Sequence, residues 1–226
     1  MRRSAGTGYV VVPDAGTGPG VLVLHGWWGL TPFFRRVCDR LADEGFVALA
    51  PDLHGEGRTA DTPDEAEALL ASTDPNRTAH LALSSLAALR GMPATTDRPV
   101  GLLGFSMGAS WAMWLSARMA SEVDVVAIFY GTQDIDFIDS RSAYLGHFAE
   151  HDELVDDNDR AEMEAHLKLL GRPVDFHHYP GTGHWFFEDD RPAAHVPAAA
   201  ELAWDRTVTF LHQRLDPCGA DPEPTG

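Results

Sequence analysis

The chain has 226 residues, 44% hydrophobic and 23% charged, a balance that suits a globular α/β protein with a sizeable core. Its 34 acidic residues outnumber 17 basic ones, for a formal charge of −17; nucleic acid and anionic membrane are excluded as expected partners, because both reward clustered Lys and Arg. No apolar run approaches the roughly 20 residues that span a bilayer, and the two cysteines, Cys38 and Cys218, form no C-x-x-C pair, so neither a structural disulfide nor a zinc ribbon is expected.

The amino end carries Arg2 and Arg3 with no apolar segment behind them, so no signal peptide is expected and the cytoplasm is the default compartment. Residues 9–12 (Tyr-Val-Val-Val) read as a first strand, and 14–20 as a Gly/Pro turn. Residues 21–24 (Val-Leu-Val-Leu) form a continuous apolar run, as expected of a strand buried on both faces. Helical spacing over 32–44 places Phe33, Val37 and Leu41 on one side, and Gly45 stops it. A strand follows at 46–50. Thr62 and Pro63 open a short acidic helix, and a longer helix runs from Asp74 or Pro75 to about Arg90. Strands at 98–105 and 123–129 flank a helix over 109–120. The order closes with a strand at 143–148, a helix at 157–170, a strand at 174–179 and a helix at 198–215. The Pro/Gly/Asp-rich tail, 216–226, reads as disordered. Strands alternating with helices imply a mostly parallel doubly wound sheet in one domain, residues 1–215.

The chemistry centres on Gly104-Phe105-Ser106-Met107-Gly108, a G-x-S-x-G pattern between a strand and a helix. That context suits a nucleophile elbow, a strained turn that lifts a serine hydroxyl above the sheet. Serine is a poor nucleophile without a base, usually a histidine oriented by a carboxylate. On such a sheet the partners follow in the order serine, acid, histidine, at the carboxyl ends of strands. Among eleven histidines His184 is best placed, in Gly181-Thr182-Gly183-His184-Trp185 between the last strand and the last helix. Asp152 follows the strand at 143–148, with Asp134, Asp136, Asp156 and Asp157 as competitors for the acid. An oxyanion hole needs two backbone N–H groups. The Met107 amide, next after the serine, supplies one, and His25-Gly26-Trp27-Trp28-Gly29 offers the Trp27 amide as the other.

With those residues placed, the chain resembles the dienelactone hydrolase family of α/β-hydrolases. The resemblance is carried by residues 21–30 (ending His25-Gly26-Trp27-Trp28-Gly29-Leu30), Ala50-Pro51-Asp52-Leu53-His54-Gly55, the elbow, Phe129-Tyr130-Gly131, residues 146–152, Tyr179-Pro180-Gly181-Thr182-Gly183-His184-Trp185-Phe186 and residues 198–204. It implies the α/β-hydrolase fold and a small-molecule ester or lactone substrate. Two departures stand out. The family's best-known members carry cysteine at the elbow where this chain has Ser106, and a glutamate in the oxyanion loop where it has Gly26. The resemblance also suggests Arg58 as the holder of a substrate carboxylate. Trp28, Phe105 and Trp185 are candidate pocket residues, and residues 58–73 a candidate lid.

The reading is thus a serine hydrolase of carboxylic esters or lactones working through an acyl-enzyme, with an acyltransferase or lyase using the same three residues as the alternative. No cofactor and no metal are expected, and the assembly is a monomer or homodimer. Gly16, Gly18 and Gly20 precede a strand instead of joining strand to helix, which argues against a dinucleotide site. The spacing of His147, His151 and Asp152 is the best metal-like pattern, but no H-E-x-x-H occurs.

Overall fold

The structure, a computed structural model, describes residues 2–5 and 8–215; the tail at 216–226 lies outside the described residues. Eight strands form one sheet: β1 (Arg2–Ala5), β2 (Gly8–Val11), β3 (Gly20–Leu24), β4 (Val47–Pro51), β5 (Val100–Phe105), β6 (Val123–Phe129), β7 (Ala143–His151) and β8 (Val174–Gly183). Their spatial order is β1-β2-β4-β3-β5-β6-β7-β8, antiparallel at β1-β2 and β2-β4 and parallel from β4 to β8. This is the α/β-hydrolase fold.

Among the described residues, six helices flank the sheet: α1 (Pro32–Asp43), α2 (Pro63–Ala71), α3 (Pro75–Arg90), α4 (Met107–Arg118), α5 (Asp157–Leu169) and α6 (Pro197–Leu215). Strand side chains alternate between two cores, as a period of two requires. Val21, Val23, Leu103, Phe105, Ala127 and Phe129 face α1 and α6. Leu22, Leu24, Leu102, Val126 and Ile128 face α3, α4 and α5. The central strands β3, β4 and β5 are buried along their whole length, which explains why they read as continuous apolar runs. Thr62 caps α2 through a reciprocal pair: its hydroxyl accepts from the Glu65 amide, and the Glu65 carboxylate accepts from the Thr62 amide.

Three expectations need adjustment. β1 pairs with β2 although its sequence carries no apolar alternation. β5 starts at Val100, two residues later than expected, because Pro99 has no N–H to give a ladder. β7 and β8 run on to His151 and Gly183, where a loop was expected. The last extension decides where the site forms.

Candidate active site

Strand register brings the predicted residues together. Leu24 pairs with Gly104, and Phe105 with Phe129, so the residues that follow β3, β5 and β6 emerge side by side. His151 pairs with Gly183, so the next residues, Asp152 and His184, are neighbours as a direct consequence of the β7–β8 extension.

Ser106 sits at the turn into α4 with φ 51° and ψ −116°, a conformation that L residues with side chains rarely adopt. Its amide donates to the Phe129 carbonyl at 2.9 Å, which locks the turn onto β6. The flanking glycines are sterically required. A β-carbon on Gly104 would lie 2.5 Å from the Gly108 carbonyl oxygen, and one on Gly108 would lie 2.1 Å from that of Leu24. Gly108→Ala is therefore expected to lower stability by about 1–3 kcal/mol, the usual penalty for overpacking. It should also displace Ser106, read as a fall in kcat larger than any rise in KM.

His184 Nε2 lies 2.9 Å from Ser106 Oγ, and Nδ1 lies 2.8 Å from each oxygen of Asp152. The carboxylate can only accept, so Nδ1 carries the proton and Nε2 is left to accept from the Ser106 hydroxyl. Asp152 is itself held by the Leu154 and Val155 amides at 2.9 and 3.1 Å. The side chains of His184 and Asp152 are only 5% and 7% exposed, so water screens their contact little. Three of the four competing acids are engaged elsewhere: Asp156 caps α5 by accepting from the Asn158 amide, Asp136 accepts from the Ile138 amide, and Asp157 meets Arg160.

The loop after β3 abuts the serine. A β-carbon on Gly26 would lie 3.6 Å from Ser106 Cβ, so glycine leaves open the space that a side chain there would occupy. Two histidines brace this loop, a function that its sequence did not advertise. His25 Nδ1 donates to the Gly26 carbonyl at 2.7 Å, while Nε2 accepts from the Leu53 amide at 2.9 Å. His54 Nε2 donates to the Trp27 carbonyl at 3.0 Å. Burial pushes the pKa of His25 down to about 3 and lowers that of His54. The Trp27 amide donates to no acceptor among the described residues, and the Met107 amide, as the first of α4, has no partner within its helix. The positive end of the α4 dipole also points toward Ser106.

The four pocket candidates fare unequally. Phe105 is corrected: it is 0% exposed, its ring packed against Phe129 and Phe187 on the α1/α6 side of the sheet, so it is core. Trp28 is buried beneath Ala60, Ala66 and Leu69, with the Arg191 guanidinium 3.8 Å from its ring. Arg58 turns its guanidinium onto its own loop, donating to the His54 and Gly55 carbonyls and to Ser72 Oγ. Trp185 alone touches the array: its ring lies 4.8 Å from that of His184 and stacks on Trp27. Within 58–73, α2 packs Ala66 and Leu69 against this tryptophan cluster.

The other reactive groups are structural. Cys38 is buried in α1, and burial raises its thiol pKa far above the ordinary range. His147 is fully buried, with both ring nitrogens engaged by Tyr179 Oη at 2.7 Å and Thr207 Oγ1 at 2.9 Å. No helix among the described residues is long and apolar enough to cross a membrane.

Comparison with known proteins gives a consistent result. The family model described as the dienelactone hydrolase family matches residues 7–215. The protein usf of Aquifex pyrophilus is 34% identical over 217 residues, covering 92% of this chain and 93% of that one. A carboxymethylenebutenolidase of Rhodococcus opacus is 27% identical, covering 89% and 84% respectively. Among solved structures, a dienelactone hydrolase-like promiscuous phosphotriesterase from metagenomic libraries superposes with a TM-score of 0.82 at 21% identity, covering 91% of each chain.

Proposed function

The chain belongs to the dienelactone hydrolase family and is a hydrolase acting on ester bonds, and we propose that it cleaves carboxylic esters or lactones with Ser106 as nucleophile. The observation that carries this reading is the continuous hydrogen-bonded line from Ser106 Oγ through His184 to Asp152. Ser106 Oγ attacks the carbonyl carbon while His184 Nε2 takes its proton. Asp152 keeps the Nδ1–H tautomer and stabilises the imidazolium. The Trp27 and Met107 amides hold the oxyanion. His184 then returns the proton to the departing alkoxide, leaving an acyl-enzyme. Water, deprotonated by His184, attacks the acyl carbon, and the carboxylic acid leaves as Ser106 recovers its proton.

Serine in place of the family's familiar cysteine agrees with Gly26. A hydroxyl needs no neighbouring side chain to hold a thiolate in check, and that space is empty. Of the pocket candidates, Trp185 and the edge of the Trp27–Trp28 cluster remain the best wall for an acyl or alcohol group. Arg58 binds a substrate carboxylate only if it leaves its loop partners.

The test is reaction of the folded protein with a fluorophosphonate probe, followed by peptide mass spectrometry. Label on Ser106, lost in Ser106→Ala and in His184→Ala, is expected; label on any other residue would refute the assignment. A thiol reagent should leave turnover unchanged, because Cys38 is inaccessible and protonated.

A further inference from the structure

Tyr130 and Glu188 are joined beside His184 and take no part in the chemistry described above. Tyr130 follows β6 with φ 39°, a left-handed conformation that is costly for an aromatic residue. Its amide donates to the His147 carbonyl at 2.7 Å, and the next residue, Gly131, packs on the Ser106 carbonyl oxygen. Its ring centre lies 4.7 Å from that of His184. Its hydroxyl donates to Glu188 Oε1 at 2.7 Å. Glu188 is 1% exposed and follows His184 by one turn of chain, with Trp185, at φ 65°, between them. A buried carboxyl and a strained tyrosine are both costly; the carboxyl holds the tyrosine, and the tyrosine ring lies beside the imidazole.

We infer that Tyr130 and Glu188 form a positioning pair that sets the ring plane of His184, the hydroxyl–carboxyl bond fixing the tyrosine and the tyrosine ring fixing the imidazole. Asp152 holds the imidazole through one atom, Nδ1, and leaves small rotations of the ring within the reach of that bond. The Tyr130 ring restricts those rotations and keeps Nε2 on Ser106. The pair has a titration of its own. Burial raises the Glu188 pKa to about 8, with Asp190 adding to the rise and the Tyr130 hydroxyl and Arg191 opposing it. The groups facing the pair are Asp152 after β7, Asp190 and Arg191 after β8, and Tyr130 itself, whose own pKa is raised by burial and by Glu188. Ionised Glu188 places a second negative charge near the developing imidazolium, so kcat should rise through pH 8.

This inference rests on His184 being the general base, and the test separates the two. Tyr130→Phe removes only the hydroxyl, and Glu188→Gln keeps shape and hydrogen bonding but not charge, so either can carry the experiment if the other fails to fold. With p-nitrophenyl acetate as probe at about pH 9, where wild-type Glu188 is ionised, each variant should lose about tenfold in kcat with KM within about twofold, the pattern of a misplaced catalytic group. Glu188→Gln should also lose the inflection near pH 8. Independently of turnover, the downfield proton NMR signal of His184 Nδ1–H should shift or broaden in both variants. Variants that keep kcat within twofold and leave that signal unmoved would overturn the pair, whatever their melting temperatures. Lowered kcat with an unmoved signal would overturn it as well. Wild-type protein that neither turns over ester nor takes label on Ser106, while the Nδ1–H signal still moves in the variants, would support the pair and refute the hydrolase mechanism instead.

Discussion

Replacing Ser106 with alanine is expected to reduce kcat by roughly a millionfold, the order seen when a serine nucleophile is removed from such an array, with residual turnover supplied by the oxyanion donors alone. Its stability should barely change, since alanine inherits the same φ of 51°. Ser106→Gly separates chemistry from strain. It should be equally inactive yet melt higher. The left-handed conformation costs a residue with a β-carbon ~1–3 kcal/mol, and glycine gives back part of that relief, ~0.5–1 kcal/mol, through the extra freedom of its unfolded chain. A net gain of about 1 kcal/mol corresponds to about 2–4 °C in Tm for a chain of this size. Ester turnover and calorimetry on the two variants check both halves. Alanine retaining more than about 1% of wild-type kcat would remove Ser106 from the nucleophile's role, and glycine melting lower than alanine would show that the elbow is not strained at this residue.

The parts of this site that could be read in the sequence are those set by local geometry. Gly104 and Gly108 announce the elbow because backbone packs where their β-carbons would be. The strand order points to Asp152 and His184 in two loops that the structure brings together. Their contact depends on β7 and β8 pairing as far as His151 and Gly183, and Glu150 and His151 gave no apolar alternation to reveal that pairing. Phe105 was misassigned for a reason present in the sequence. It shares a face with Leu103, so a period of two already turns it away from the substrate edge and into the core. Tyr130–Glu188 had no such signal. The two residues are 58 apart, and Glu188-Asp189-Asp190 reads as a solvated acidic run; only the turn after His184 folds the first of them inward. His25 and His54 were likewise invisible as braces, because carbonyl partners leave no mark in a side-chain pattern.

The same buried groups predict an optimum of stability near pH 6.5. Burial holds His25 neutral down to about pH 3, and His147 is held well below its ordinary value by burial, with His177 and Arg206 adding to the effect. In the unfolded chain both bind protons near pH 6.5. Below that pH the unfolded state therefore holds more protons, and stability falls as pH falls, by ~1.4 kcal/mol per pH unit for each histidine. Glu188 acts in the opposite sense. Its folded pKa is about 8 against an ordinary 4.5, so its contribution is complete below pH 4.5 and is lost as pH rises to 8. From pH 6.5 down to 4.5 His25 and His147 outweigh the one carboxyl, a net loss of ~1.4 kcal/mol per unit or roughly 6–11 °C in Tm over the interval, and the lowered pKa values of His54 and His178 add to it in the same sense. Below pH 4.5 Glu188 is protonated in both states and no longer offsets the histidines, so the slope steepens. Between pH 6.5 and 8 only Glu188 titrates, and stability declines toward alkali. Calorimetry from pH 4 to 9 on wild type, Glu188→Gln and His147→Gln resolves the three contributions. Glu188→Gln should flatten the alkaline limb and steepen the acid limb between pH 6.5 and 4.5, while His147→Gln should make the acid limb shallower. A decline between pH 6.5 and 8 that is as steep in Glu188→Gln as in wild type would mean that Glu188 does not titrate there and is ionised in the fold, and its hydrogen bond from Tyr130 would then be charge-assisted from neutral pH upward.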